Sequence, residues 1–178
     1  MELFDALNSK HTEFIQAQHL FFVATAGAEG RVNLSPKGLD SLRVINGSII
    51  RWLNLTGSGN ETAAHVLENG RMTLMFCSFD KQPLILRVYG EAKMISPNDA
   101  DWPNCLADFD FHNGARQIFE LKIDLVQTSC GYAVPYYDFV AERETLSKWS
   151  EKKSKDDFRE YQLAKNKVSL DGKPTGIE

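Results

Sequence analysis

The sequence predicts a single, mainly antiparallel β domain with peripheral helices. Short apolar runs follow one another between turn residues, and few of the intervening segments have helical periodicity. With 178 residues, of which 43% are hydrophobic and 25% charged, the chain is long enough to bury a core of its own. We therefore expect one domain over residues 1–178, built as a small barrel or a sandwich of five to seven strands.

Residues 1–18 are predicted to form an N-terminal helix, because their apolar side chains recur at spacings near three and four. The barrel is expected over residues 19–130. Its first hairpin pairs residues 19–26 with 31–36, and its second turns at Asn46-Gly47, a pair that favours a type I′ turn.

A helix follows over residues 60–69 and ends at Gly70, where a left-handed cap is sterically free. Strands are predicted at 71–77 and 84–95, and a strand with one wet face at 116–127. The charged residues 140–167 are expected to form a solvated C-terminal helical arm, followed by a turn at 169–176.

Charge and cysteine usage restrict the classes of function. A net charge of −4 gives no field that would attract nucleic acid or an anionic membrane. The charged first 18 residues do not suit a secretory signal, and no apolar run approaches the roughly 20 residues that span a bilayer. We expect a cytoplasmic protein without a nucleic-acid, membrane or metal partner. Its three cysteines are expected to be buried, unpaired thiols: Cys77, Cys105 and Cys130.

The best candidate ligand site is the strand-turn-helix junction from Leu53 to Ala64. A strand stops at two glycines and a helix begins, with Ser58 and Glu61 at the spacing of a capping box. A helix start carries free N–H groups that bind phosphate, and four side chains add donors: Thr56, Ser58, Asn60 and Thr62. The alternative is an ordinary capped helix that binds nothing. The sequence has no GxxxxGK[ST] motif of the P-loop type.

Three segments resemble those of a known family. They are Val-Asn-Leu-Ser-Pro-Lys at 32–37 with the strand ending at 52–55, the helix, cap and strand at 57–76, and Cys-Gly-Tyr-Ala-Val-Pro at 130–135. In order and spacing they are similar to the pyridoxamine 5′-phosphate oxidase-like FMN-binding split β-barrels, in an uncharacterised subgroup. The resemblance implies an antiparallel split β-barrel of about six to seven strands, with N-terminal and C-terminal helices. It also implies a homodimer with FMN sites at the subunit interface.

Carried across residue by residue, the resemblance implies the cofactor-binding side chains. Asn33, Ser35 and Lys37 would lie along the isoalloxazine ring and the ribityl chain. Trp52, Leu53 and Asn54 would border the flavin, although core packing is the alternative for Trp52. Ser58, Asn60 and Thr62 would take the phosphate. No side chain is singled out as a catalytic acid or base, and Tyr132 and Tyr136 are expected in a pocket or an interface.

The sequence departs from the classical oxidase at two places. That enzyme has an adjacent Arg and Lys where this chain has Asn-Glu-Thr at 60–62, so phosphate binding must rest on the helix start, on hydroxyl groups, on Lys37 or on another arginine. The arginines considered are Arg31, Arg71 and Arg87. The C-terminus also lacks the strand whose Arg and His hold pyridoxamine 5′-phosphate, which is therefore not the expected substrate.

The leading hypothesis is an FMN-dependent oxidoreductase that passes hydride or electrons from a reduced nicotinamide, or another donor, to an unidentified small molecule. One rival is a non-enzymatic flavin carrier, store or redox sensor. Another keeps the fold but binds haem or a deazaflavin, with His19, His65 or His112 as the axial candidates for haem. A third is an interaction module with an empty site. His65 is expected in a surface or capping role.

Overall fold

A computed structural model describes residues 1–110 and 113–178. The strands are β1 (Glu2–Phe4), β2 (Phe21–Thr25), β3 (Asn33–Lys37), β4 (Leu42–Asn46), β5 (Ile49–Leu55), β6 (Arg71–Cys77), β7 (Ile85–Ile95) and β8 (Ala115–Ser129). The helices are α1 (Ser9–Gln16), α2 (Glu61–Asn69), α3 (Trp102–Leu106), α4 (Thr145–Glu151) and α5 (Lys155–Lys165).

All strands belong to one antiparallel sheet in the order β3-β2-β6-β7-β8-β5-β4, with β1 paired to β8 beyond the end of β5. The sheet curls into a half-barrel, and within the described residues no pairing joins β3 to β4 at its two ends. This confirms the mainly antiparallel split β-barrel. The eighth strand, β1, lies where the sequence predicted helix.

Two apolar clusters lie on opposite faces of the sheet. The larger fills the concave side, where Trp52 stacks on Phe119 with ring centroids 4.7 Å apart. The smaller places Leu53 and Ile118 beneath α3. Because β5 and β8 are covered on both faces, residues 116–119 of β8 are all buried. The wet face predicted for β8 is therefore wrong for its first half, and this places polar side chains in the interior.

One glycine allows β7 and β8 to pair along their whole length. The pairing register shifts between Tyr89 and Gly90, and a Cβ on Gly90 would lie 2.0 Å from the carbonyl oxygen of Lys122. No other residue fits at that distance without moving backbone. A β-bulge at this point lets the long antiparallel pair of β7 and β8 bend.

The N-terminal helix is shorter than predicted. Residues Glu2–Phe4 form a strand, and the helix begins only after Asn8, whose side-chain oxygen accepts the His11 N–H at 3.0 Å. The reason is an open edge: β5 pairs with β8 only as far as Lys122, and β1 fills the edge at 126–128.

The predicted hairpin between β4 and β5 is confirmed, but its type I′ turn is wrong. Neither Asn46 nor Gly47 has a positive φ. The Asn46 side chain instead accepts the Ser48 N–H at 2.8 Å, and a register shift between Val44 and Asn46 absorbs the mismatch. The helix stop at Gly70 is confirmed, with φ of 69°.

Residues 140–167 are largely exposed, as expected for a solvated helical region, but they pack on the body at a few positions. They form α4 and α5 instead of one helix, and Phe158 is buried. The residues after α5 fold back as the predicted turn, yet Asn166 and Thr175 are completely buried. Cys77 and Cys105 are buried as predicted, whereas Cys130 is exposed because β8 has ended. None of the helices that the structure describes combines the length and the apolar character needed to cross a bilayer.

Candidate anion-binding cleft at the start of helix α2

A cleft of about 330 Å³ opens where β3, the end of β5, residues 56–60, the start of α2 and β8 meet. Seven of the nine cofactor-binding residues predicted from the sequence line it: Asn33, Ser35, Lys37, Asn54, Ser58, Asn60 and Thr62. The other two, Trp52 and Leu53, have their side chains in the two apolar clusters. The Leu53 N–H is also engaged, since it donates to the Ser41 carbonyl.

The alternation of an extended strand explains the β3 wall. Successive side chains of a strand point to opposite faces, so Asn33, Ser35 and Lys37 face the cleft while Leu34 is 63% exposed on the other side. The sequence motif Asn-x-Ser-x-Lys thus delivers a row of donors to one surface.

Arg116 is the residue of the cleft that the sequence analysis missed. Its side chain is only 4% exposed, and one guanidinium nitrogen, Nη2, donates to the Gly59 carbonyl at 3.0 Å. Its Nε and Nη1 atoms are buried without a hydrogen-bond partner in the described chain. Burial lowers the pKa of Arg116 to about 10.

Lys37 is the second cation of the cleft. Burial, together with the charge of Arg116, lowers the pKa of Lys37 to about 8. Its ammonium group lies 5.3 Å from the centre of the Trp52 ring. Neither Lys37 nor Arg116 forms an ion pair with any carboxylate in the ranges 1–110 and 113–178. Since burying an unpaired charge is costly, the two cations make the cleft attractive to an anion.

Neutral donors without partners lie beside these cations. The Nδ2 of Asn60 and the hydroxyl of Ser35 are buried, and neither has a hydrogen-bond partner in the described residues. Asn60 is the N-cap of α2 but makes no side-chain cap. Its amide group is therefore free for a ligand at the positive end of the helix.

The predicted capping box between Ser58 and Glu61 is wrong. Both carboxylate oxygens of Glu61 lie 3.0 Å from the Leu170 N–H, because the turn after α5 packs on the start of α2. The only acidic side chain in the cleft lining is thus occupied by a main-chain donor.

A buried polar network supports the cleft from behind. Asn33 donates through Nδ2 to the hydroxyl groups of Thr25 and Thr62, at 3.2 and 3.1 Å. The Thr25 hydroxyl is in turn 3.0 Å from Nδ1 of His65, which is 1% exposed. The expected surface position of His65 is wrong, because residues 62–66 of α2, more than one full turn, are all buried.

The three arginines considered from the sequence lie elsewhere. Arg31 pairs with Asp171, Arg87 donates to the Ser129 hydroxyl at 3.2 Å, and Arg71 lines a separate pocket. The haem candidates are also not gathered at the cleft. His19 stacks on Phe139, and His112 lies outside the described residues.

A second, larger cavity of about 650 Å³ adjoins Lys37 on its other side. Its wall is mostly apolar and combines the end of β3 with residues 139–149: Leu20, Pro36, Leu39, Phe139, Leu146 and Trp149. Leu39 has a φ of 60°, an unusual conformation for a bulky residue. Lys37 lines both this cavity and the smaller cleft. Tyr132 and Tyr136 are 82% and 76% exposed, so a pocket or interface role for them stays a prediction.

A split antiparallel half-barrel with a cation-lined cleft at a helix start defines the class of protein, a split β-barrel. Comparison with known proteins supports this fold and identifies the family. The family model for pyridoxamine 5′-phosphate oxidase matches residues 7–130. The chain is 36% identical, over 189 aligned residues, to the pyridoxamine 5′-phosphate oxidase family protein ustO of Aspergillus flavus, and the match covers 96% of this chain and 76% of that protein. The chain therefore belongs to the pyridoxamine 5′-phosphate oxidase family.

Solved structures share the fold at low sequence identity. A candidate pyridoxamine 5′-phosphate oxidase from Lactobacillus delbrueckii superposes with a TM-score of 0.58 and 21% identity, over 70% of this chain and 95% of that one. An FMN-binding protein from Syntrophomonas wolfei gives a TM-score of 0.50 and 19% identity, over 66% and 82%.

The lowered pKa of Lys37 makes a prediction about stability and pH. The pKa of this lysine is 10.5 in its ordinary state and about 8 in the ligand-free fold, so between these values the unfolded chain binds more protons. The free energy of unfolding of the wild type, relative to Lys37→Met, should therefore rise as the pH rises from 8 toward 10. Denaturant unfolding at a series of pH values measures it, with the exposed Lys122→Met as the matched control. A flat or falling difference would show that Lys37 is solvated or already paired.

Proposed function

We propose that this protein binds FMN, with the phosphate in the cleft at the start of α2, and acts as an oxidoreductase on a small molecule. The single observation that carries the proposal is the convergence of buried donors without partners. Arg116, Asn60 and Ser35 all present such atoms, and Lys37 adds an unpaired charge. Buried polar groups are normally paired, so a set left open in one place points to a ligand that completes it.

The chemistry of this donor set fits a phosphate monoester. A phosphate carries up to two negative charges and several acceptor oxygens, and an Arg fork suits it because two of its N–H groups can donate side by side. Nε and Nη1 of Arg116 have no partner among the described residues, whereas Nη2 donates one hydrogen to the Gly59 carbonyl. Nε and Nη1 lie on different edges of the guanidinium, so a fork would combine one of them with the second hydrogen of Nη2. Arg116, on β8, would supply the cationic contact for which the classical oxidase uses an adjacent Arg and Lys.

The β3 wall would hold the rest of the cofactor. Ser35 and Lys37 continue from the phosphate end toward the larger apolar cavity, and that direction suits a ligand with a polar chain and a flat apolar ring. The FMN bound by the structural neighbour from Syntrophomonas wolfei, as its name says, agrees with this assignment. Ser58 and Thr62 would complete the contacts, and Asn54, whose NH2 group donates to Gln117 and Asn60, would support them from behind.

When bound, FMN would supply the redox chemistry by taking two electrons from a reduced donor and passing them to a second substrate. The protein would bind and orient the cofactor and exclude water from its apolar side. Anaerobic addition of a reduced nicotinamide should then bleach the visible flavin bands. If no donor bleached them, a flavin carrier or sensor would be the better account.

Pyridoxamine 5′-phosphate is not the substrate that we propose. The chain's C-terminal residues are engaged in holding the structure together, as Lys173 pairs with Glu68 and Asp171 pairs with Arg31. Lys173 is therefore not free to take a second phosphate.

We further propose that the protein is a homodimer. Leu34 on the edge strand β3 is 63% exposed, and Val32 just before this strand is 76% exposed. Such apolar side chains at an unpaired edge suit contact with a second copy. Light scattering should give twice the chain mass of 20.1 kDa, and a value of one chain mass would contradict this part of the proposal.

Replacing Arg116 by glutamine should weaken FMN binding. A hydrogen bond to a charged group contributes about 1.5–3 kcal/mol, so the dissociation constant should rise roughly 10- to 100-fold. Flavin fluorescence quenching measures it. Arg71→Gln is the matched control, since Arg71 is exposed and lies in a different pocket. Equal affinities for the wild type and Arg116→Gln would place the phosphate elsewhere.

A further inference from the structure

The turn that follows α5 packs directly behind the cleft. We call residues 166–176 the C-terminal turn; it is closed by a bridge between Val168 and Pro174. Asn166 donates through Nδ2 to the Gly57 carbonyl at 2.9 Å, and Leu170 donates its N–H to Glu61. The C-terminal turn therefore holds the glycine-rich segment 56–60 and the start of α2 from the side away from the ligand.

Three buried amide side chains connect the C-terminal turn to the cleft. Gln117 donates through Nε2 to the Thr175 carbonyl at 3.1 Å. Asn54 donates through Nδ2 to Oε1 of Gln117 at 3.1 Å and to Oδ1 of Asn60 at 3.3 Å. All three amides are at most 4% exposed, so water does not substitute for these contacts.

The main-chain carbonyl of Thr175 determines the orientation of all three side-chain amides. The Thr175 carbonyl can only accept, so Gln117 must direct its NH2 group toward it and its oxygen toward Asn54. That oxygen can only accept, so Asn54 must present its NH2 group, whose second hydrogen goes to Asn60. The Asn60 oxygen is thereby engaged, and its NH2 group is left as the free donor of the cleft.

We propose that the C-terminal turn is a positioning element for the ligand-binding cleft: through Gln117 and Asn54, the Thr175 carbonyl keeps the Asn60 amide turned with its NH2 group toward a bound phosphate. This rests on the proposed function, because it takes the phosphate of FMN as the ligand. Gln117 and Asn54 are positioning residues, since neither needs to touch the phosphate. If the Asn60 amide were turned over, its carbonyl oxygen would face the cleft and repel the anion.

The C-terminal turn lies outside the part of the chain that the family model matches, which ends at residue 130. Residues 166–176 would strengthen binding of the cofactor's phosphate by fixing the orientation of the Asn60 amide. Binding of the isoalloxazine ring would not depend on the orientation of this amide. The effect should therefore be seen with FMN and not with riboflavin, which lacks the phosphate.

A double-mutant cycle tests the proposal. Gln117→Met keeps the side-chain volume but removes both amide contacts, so Asn54 and Asn60 are free to turn over. The dissociation constant for FMN should rise about tenfold, as expected for loss of one hydrogen bond to a charged group, while that for riboflavin changes less than about twofold. In an Asn60→Ala background, Gln117→Met should cause no further loss. Gln127→Met is the matched control, because Gln127 lies on the same strand and bonds only outside the cleft.

The outcomes separate this inference from the proposed function. If the wild type bound FMN no more tightly than riboflavin, the assignment of the phosphate to the cleft would fail, and this inference with it. If FMN bound more tightly but the effects of Gln117→Met and Asn60→Ala simply added, only the inference would be overturned. An equal loss of riboflavin affinity would show a purely structural role. Should Gln117→Met fail to fold, Asn54→Leu breaks the series at the neighbouring residue and should give the same result.

The ligand-free protein offers a readout that does not involve FMN. In nitrogen-15 NMR spectra, the side-chain NH2 signals of Asn54 and Asn60 should move when Gln117 is replaced by methionine. They should stay in place in Gln127→Met. Unmoved Asn60 signals in Gln117→Met would show that its amide is turned by other contacts, and the inference would fall.

Discussion

The structure depends on holding two cations at one cleft, the buried Arg116 and the half-buried Lys37, and no carboxylate among the described residues pairs with either. Arg116 is almost completely buried, Lys37 faces the same cleft, and both have lowered pKa values because burial disfavours their charged forms. A fold selected for stability alone would gain by replacing such groups with apolar ones. Burying these charges without a partner costs the ligand-free protein free energy, and binding of an anion would recover that cost.

That constraint explains why the cleft is assembled from parts that are distant along the chain. Lys37 comes from an edge strand, Asn60 from the cap of α2, and Arg116 from the long central strand β8. Arg116 is held by its hydrogen bond to the Gly59 carbonyl, and the Asn60 side chain by the Asn54 amide. The C-terminal turn closes the arrangement from behind, since Asn166 bonds to Gly57 and Thr175 accepts from Gln117. Rigid supporting contacts of this kind keep donors aimed at a ligand before it arrives.

The strands and turns with strong local signals were predictable from the sequence. Asn46-Gly47 marked the connection between β4 and β5, and Gly70 marked the end of α2. These features are properties of a few neighbouring residues. The cofactor residues were instead implied by the resemblance to the split-barrel family, and seven of the nine line the cleft, although their contact with FMN stays a prediction.

The parts that could not be predicted depend on contacts between distant segments. An arginine in an alternating strand reads as a solvated residue, and only the covering of β8 on both faces turns Arg116 inward. Glu61 has the spacing of a capping box, but the turn around Leu170 competes for it with a main-chain donor. Residues 2–4 form a strand because β8 leaves an edge open beside them. The sequence around Arg116, Glu61 and residues 2–4 does not by itself distinguish the observed arrangement from the predicted one.

The most direct test of the account is the ionisation state of the phosphate in the complex with FMN. A phosphate monoester in water takes up a proton with a pKa near roughly 6, which moves its phosphorus-31 NMR signal. Held by Arg116 and Lys37, it should remain a dianion, so the signal of bound FMN should stay constant between about pH 5.5 and 8. A signal that titrates like that of free FMN would place the phosphate in solvent and contradict the account.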